Sequence, residues 1–317
     1  MQISKRGQWI LSIAVLLFAA AIFAGIQDIQ SDTALMGEDE GYVAVVRIDG
    51  TIYGGPAANP FWGTGDGAPS EQLMAELSEA RKDPRAKAVL LRMNTPGGST
   101  GATQEIAEEI DRIRSAGKPV IVSMGDTCAS AGYWLASKGD YIFASPATIT
   151  GSIGVYMDYT NVSDLMDKLG IKNEKIKSGA HKDILSMYRP MTDEERQMLQ
   201  AMVDDIYEQF VHTVADGRRM EVSKVKSFAD GRILTGRQAQ DLGLVDAMGN
   251  YYDALSYAGS AGGIESETVP TKSYAGRRIS LKDVLSGEAN ALTDEISGRI
   301  AGKLFTSLKN PAAPAVQ

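Results

Sequence analysis

The sequence predicts an α/β fold built on a mostly parallel sheet, and three observations carry that expectation. Residues 86–93 (AKAVLLRM) and 119–124 (PVIVSM) are short, nearly continuous apolar runs, the pattern of strands buried on both faces. Stretches with apolar residues at helical spacing lie between such runs, so strand and helix alternate along the chain. Alternation of this kind indicates right-handed crossovers between parallel neighbours.

The first strand is predicted at 42–48 (YVAVVRI). A loop rich in glycine and proline follows over 54–70 and carries Phe61 and Trp62, whose rings are expected to pack against the body. Ser70 reads as the N-cap of a helix with Leu73, Met74, Leu77 and Ala80 at helical spacing. After the strand at 86–93, the turn Asn94-Thr95-Pro96-Gly97-Gly98-Ser99 leads into a helix over 103–116. The strand at 119–124 leads to a helix containing Ser130, and 141–144 is a fourth strand. Helices follow at 161–169 and 192–216, the second opened by a capping box of Thr192 and Glu195. Residues 270–281 read as linker, 285–308 as an amphipathic helix and 311–317 as a disordered tail.

The N-terminus predicts a membrane anchor. Lys5 and Arg6 precede an apolar run over 9–26, which as a helix covers about 27 Å, close to the hydrocarbon thickness of a bilayer. Positive charge before the run keeps the N-terminus inside and places the remainder outside. A cleaved signal peptide is the competing reading, with a weak A-x-A match at Ala19-Ala20-Ala21. No second long apolar run occurs, so the chain spans a membrane once at most. The predicted organisation is 1–8 cytoplasmic, 9–26 transmembrane, 27–41 linker, 42–260 main folded domain and 261–317 C-terminal extension.

Composition narrows the chemistry. A formal net charge of −8 argues against a nucleic-acid partner. The single cysteine, Cys128, makes no intrachain disulfide and no cysteine-based zinc cluster. Two histidines, His181 and His212, leave little material for a metal site.

Ser130 lies among small residues directly after a buried-looking strand, where a substrate backbone can approach closely. At a helix start it gains partial positive charge, and the N–H of Ala131 points toward an oxyanion formed on an attacked carbonyl. The same position suits a plain N-cap equally well. Gly97-Gly98 lacks the spacing of a phosphate loop but is suited to supply a second oxyanion donor. His212 belongs to the solvent side of a helix, whereas His181 lies in a polar loop and keeps a Ser-His-Asp arrangement open. A lysine becomes a base only when its ammonium is desolvated, and the residues alone do not choose among Lys172, Lys175, Lys177 and Lys182.

Several motifs together resemble the signal peptide peptidase A family, in its shorter bacterial form. They are Asn94-Thr95-Pro96-Gly97-Gly98, Ala129-Ser130-Ala131-Gly132-Tyr133, Thr150-Gly151-Ser152-Ile153-Gly154-Val155, the lysine loop 177–183 (KSGAHKD), and GRILTG at 231–236 with Gln238-Ala239 and GLVD at 243–246. The resemblance implies a ββα superhelix of the Clp/crotonase type. It implies Ser130 as nucleophile, Lys182 as general base, the N–H groups of Gly97 and Ala131 as oxyanion hole, and Ser152 as the residue that orients the lysine. It also implies no cofactor or metal, cleaved signal peptides as substrates, and a membrane-tethered ring-shaped homo-oligomer whose neighbouring subunits complete each active site. Three rivals stand beside it: a Clp-like peptidase using His181, an acyl-CoA enzyme of the crotonase type, and an inactive scaffold of the same fold.

Overall fold

The computed structural model describes residues 41–56, 67–266 and 268–274, and the elements below lie in the unit ending at Ser273. The predicted segments 1–8 and 9–26, nearly all of 27–41, the residues Phe61 and Trp62, and the segments 285–308 and 311–317 fall outside the described residues. Among the described residues no helix is long and apolar enough to cross a membrane.

In chain order the elements are β1 (Tyr42–Asp49), β2 (Ile52–Tyr53), β3 (Ala68–Pro69), α1 (Ser70–Lys82), β4 (Ala86–Thr95), α2 (Thr100–Ser115), β5 (Val120–Ala129), α3 (Ala131–Ala136), β6 (Tyr141–Ala144) and β7 (Ile149–Gly151). There follow α4 (Ser163–Lys168), α5 (Asp193–Arg218), α6 (Val222–Lys226), β8 (Ile233–Thr235), α7 (Gly236–Asp241), β9 (Ala247–Met248), α8 (Tyr251–Ala261) and β10 (Thr271–Ser273). The main path of the sheet runs β10-β1-β4-β5-β6-β9, every neighbour parallel. Its inner strands are apolar on both faces, as a parallel sheet between helices requires. Val43, Val45, Leu90 and Ile121 pack with Ala254 and Ala258 of α8 on one side. The alternate residues Ala44, Val46, Val89 and Leu91 face the other layer and are likewise fully buried.

Local differences from the sequence reading have physical causes. Pro69, not Ser70, takes the N-cap position of α1, because its fixed φ of −72° with ψ of 131° is extended backbone; Ser70 is the first helical residue and is buried. Strand β5 continues five residues beyond Met124 through the polar stretch Gly125-Asp126-Thr127. Bonds from other segments hold that stretch: Thr148 Oγ1 donates to the Gly125 carbonyl at 2.8 Å, and Thr127 N–H to Asn94 Oδ1 at 3.0 Å. Residues 271–273, read as linker, instead add β10 beside β1.

The capping box at α5 forms as read: Glu195 N–H donates to Thr192 Oγ1 at 3.2 Å and Thr192 N–H to Glu195 Oε2 at 3.0 Å. The helix then divides in character. Phe210, Val211, Val214 and Ala215 are buried in its second half, whereas Met198 and Met202 in the first half are exposed. At Gly217 the helix approaches the body so closely that a Cβ would meet the Ser137 carbonyl oxygen at 1.9 Å.

Candidate active site

Ser130 stands at the corner between β5 and α3, with φ 53° and ψ −125°. A non-glycine residue there costs roughly 1–3 kcal/mol and persists only where its surroundings impose it. The surroundings are rigid. All six residues of α3 are buried, Ser130 N–H donates to the Gly151 carbonyl at 2.9 Å, and the Ser130 carbonyl accepts the N–H of Trp134 at 3.0 Å. Tyr133 inside α3 donates its hydroxyl to the Leu244 carbonyl at 2.8 Å. A serine on a strained strand-to-helix turn is held away from the regular backbone, as a nucleophile must be.

The glycine turn after β4 lies against this corner. A Cβ on Gly97 (φ 106°) would sit 2.9 Å from the Ala131 nitrogen and the Ser130 Cβ, so only glycine fits. Gly97 N–H donates to Thr95 Oγ1 at 3.1 Å, and its carbonyl accepts from Ile52 N–H at 2.9 Å. Gly98 faces the cavity beside Ser130, and a Cβ there would lie 2.0 Å from the Ile52 carbonyl oxygen. Thr95 is fully buried, and its methyl packs where a Cβ on Gly132 would come within 2.7 Å.

Strand β7 pairs parallel with the end of β5, Ala129 opposite Gly151, which sets Ser152 beside Ser130. Gly151 and Ser152 both have positive φ, 75° and 51°, and kink the chain there. Ser152 N–H donates to the Arg232 carbonyl at 2.8 Å and Gly231 N–H to the Ile153 carbonyl at 3.0 Å. The motif 231–236 thus forms β8, the antiparallel edge that supports this kink. Asp246 at the end of the next motif takes a bidentate bond from Arg218 of α5 and accepts Ile142 N–H.

A cavity of about 110 Å³ opens beside Ser130. Its walls include Ala131, Trp134, Tyr156, Ile206 and Phe210, and the rings of Trp134 and Phe210 stack at 4.8 Å. The space is large enough for one small or medium side chain.

The two candidate bases do not line this cavity. Lys182 is exposed, within a turn where its N–H donates to the Gly179 carbonyl at 3.3 Å. His181 lies 3.7 Å from Glu194 and 3.9 Å from Glu195, at the start of α5. From Glu195 to Ile206, where α5 first meets the cavity, the helix rises about 16 Å. The structure therefore brings Ser130, Ala131, the glycine turn and Ser152 together, and keeps Lys182 and His181 apart from them. The neighbouring Cys128 is buried, and burial pushes its thiol up, so it stays protonated and unreactive. Among the described residues no cluster of His, Cys, Asp or Glu could hold a metal ion.

Sequence reasoning quoted Thr95 within the glycine turn without giving it a role, and it missed the cavity walls Trp134, Tyr156, Ile206 and Phe210 and also Arg189, which binds Asp183 and Glu195. Ile206 and Phe210 lie four apart in the helix predicted over 192–216, a spacing that marks a packed face rather than a site, and nothing local marks Arg189.

The model of peptidase family S49 matches residues 112–265. A Synechocystis sp. protein provisionally named as a protease, slr0021, is 41% identical over 206 residues, covering 65% of this chain and 74% of that one. An Enterococcus faecium protein provisionally named signal peptide peptidase SppA is 36% identical, covering 74% of this chain and 67% of its own. Protease 4 of Salmonella typhi is 36% identical over 69% of this chain, which spans only 34% of that longer protein. With a serine held at a strained corner inside the matched region, these likenesses settle the family: the chain belongs to peptidase family S49, as a serine peptidase of the SppA type.

Proposed function

We propose that the chain is a membrane-anchored endopeptidase that degrades remnant signal peptides by acyl transfer on Ser130, with Lys182 as general base. The observation that carries this reading is the corner at Ser130, strained and set by the β5–β7 register beside Ser152, at the mouth of a cavity walled in part by Trp134 and Phe210. The names of the relatives support the substrate class. The anchor at 9–26, with the catalytic domain on the extracytoplasmic side, rests on the sequence and would hold the domain where such peptides lie. The double pairing of β5, with β4 and β6 in its first half and β7 at its end, supports a ββα superhelix.

In the proposed cycle the neutral Lys182 amine takes the Ser130 proton as Oγ attacks the peptide carbonyl. The N–H groups of Ala131 and Gly97 receive the oxyanion, Gly97 exchanging its bond to Thr95 Oγ1 for the stronger charged acceptor. The lysine then protonates the leaving amine and activates water to release the acyl group. Ser152, adjacent to Ser130, holds the amine in place.

Lys182 is exposed and does not line its own chain's cavity, so we infer that it reaches the serine of a neighbouring copy in a ring-shaped homo-oligomer. Exposed Tyr156, Leu165, Leu169, Ile171 and Ile176 on the same segment support a covering partner. Burial disfavours an ammonium, so such a cover also makes the lysine a base.

Labelling by a fluorophosphonate probe tests the dyad. Wild type is expected to be captured, and Ser130→Ala and Lys182→Ala, both folded by thermal melting, are expected to lose capture and at least about 10⁴-fold in peptide hydrolysis. Near-normal hydrolysis in Lys182→Ala removes the lysine from the mechanism and returns His181 to consideration.

A further inference from the structure

The segment that carries Lys182 lacks what usually holds a chain in place. None of residues 155–192 is buried, so apolar burial contributes little to fixing it. Its backbone closes on itself only locally, as where Val162 N–H donates to the Met187 carbonyl at 2.8 Å. What joins it to the first turn of α5 is a knot of charge around Arg189, with His181 beside it at 3.7 Å from Glu194 and 3.9 Å from Glu195. The guanidinium donates from Nε and Nη2 to the Asp183 carboxylate at 3.0 and 2.9 Å. From Nη1 and Nη2 it donates to Glu195 at 2.8 and 2.5 Å, and from Nη1 to the Pro190 carbonyl at 3.0 Å. Asp183, the residue after Lys182, also accepts Lys177 Nζ at 2.6 Å, with Lys175 Nζ at 3.9 Å. Glu195 is 1% exposed and is the residue that closes the capping box of α5.

We propose that Arg189 is a positioning residue for Lys182: by joining Asp183 to Glu195 it fixes the stem of the lysine loop on the first turn of α5, so that the amine is presented in one geometry. This rests on the reading of Lys182 as the base. The task calls for arginine, because a planar fork bonds two carboxylates at once, whereas one ammonium is a single point of charge. The knot also explains why the segment keeps a defined path without a core of its own: the two carboxylates would repel each other without the cation between them.

The test measures kcat and KM for peptide hydrolysis in the full-length chain. Arg189→Gln is expected to lower kcat about 100-fold, since displacements near 1 Å at a reacting group cost that much, while KM stays within about twofold. Arg189→Lys is expected to restore only part of the loss. Asp183→Asn is expected to lose a comparable factor, and the double variant to lose no more than the worse single, because one clamp is broken only once. A role confined to stability would lower the melting temperature instead and leave the kcat of the folded fraction intact. Lys182→Ala, measured alongside, separates the two claims. If it retains its kcat, the base assignment fails and the clamp with it. If it is inactive while Arg189→Gln and Asp183→Asn keep wild-type kcat, the base stands and the clamp is overturned. Should Arg189→Gln not fold, Asp183→Asn decides the question in the same way.

Discussion

Around Ser130 the supporting residues are buried, from Cys128 and Ala129 on β5 through all six of α3, whereas none of residues 155–192, which carry Lys182, is buried. The first region is held by packing: each large apolar side chain removed from water contributes about 1.5–3 kcal/mol, enough in sum to impose a strained serine. The second is held by charge at one end and has no fully buried apolar side chain. The difference teaches how labour is divided in this peptidase. The serine proposed as nucleophile sits at the end of a sheet strand, and the lysine proposed to activate it is exposed on the surface of its own chain.

Three substitutions or conditions break or sharpen that contrast. The largest effect is expected at Phe210, which ties α5 to α3 by its stack on Trp134. Phe210→Ala should cost about 3–5 kcal/mol in chemical denaturation, and it should shift cleavage toward larger apolar side chains by opening the cavity. An unchanged preference would separate that cavity from substrate selection.

Gly97→Ala is the next in size. Its φ of 106° and the 2.9 Å approach to Ser130 Cβ make any side chain strained, at about 1–3 kcal/mol of stability. Displacing an oxyanion donor should lower kcat about 10²–10³-fold. Wild-type kcat in folded Gly97→Ala would take Gly97 out of the oxyanion hole.

The smallest effect concerns pH and the arm. Hydrogen bonds from Arg189, then the Thr192 backbone, hold the Glu195 carboxyl down to about 2, and bonds from Arg189 and Lys177 hold Asp183 lower still. A carboxylate with a depressed folded pKa stabilises fully above its unfolded value, near 4.3 for glutamate, and loses that contribution as pH falls through the folded value. Hydrogen exchange over 177–189 should therefore keep constant protection from pH 7 to about 5 and lose it between about 4 and 2. Loss of protection already at pH 6 would mean that another interaction holds the arm.

The same contrast explains what could be read from the sequence. Strands β1, β4 and the start of β5 announced themselves as apolar runs, and the Thr192–Glu195 box is written within four residues. Those signals are local. The end of β5 was hidden because Gly125-Asp126-Thr127 is polar and is a strand only through its pairing with β7 and bonds to Asn94 and Thr148, all distant in the chain. Strand β10 was hidden for the same reason, since three residues beside Pro270 become a strand only by pairing with β1. At the site, Ser130, Ala131, Gly97 and Ser152 were named from motifs, and the structure sets them side by side. Arg189 went unseen because it acts through Asp183 and Glu195, each six residues away, a separation that no helix or strand spacing connects.

The central claim, that a serine fixed in one chain is activated by a lysine offered from another, is tested most directly by mixing. Full-length Ser130→Ala and Lys182→Ala, each inactive alone, are co-assembled in equal amounts and assayed for peptide hydrolysis. The expected result is recovery of about a quarter of the wild-type rate, the chance that a subunit with its serine adjoins a neighbour with its lysine in a randomly mixed ring. No recovery in fully mixed assemblies would contradict it and place both residues of the dyad within one chain.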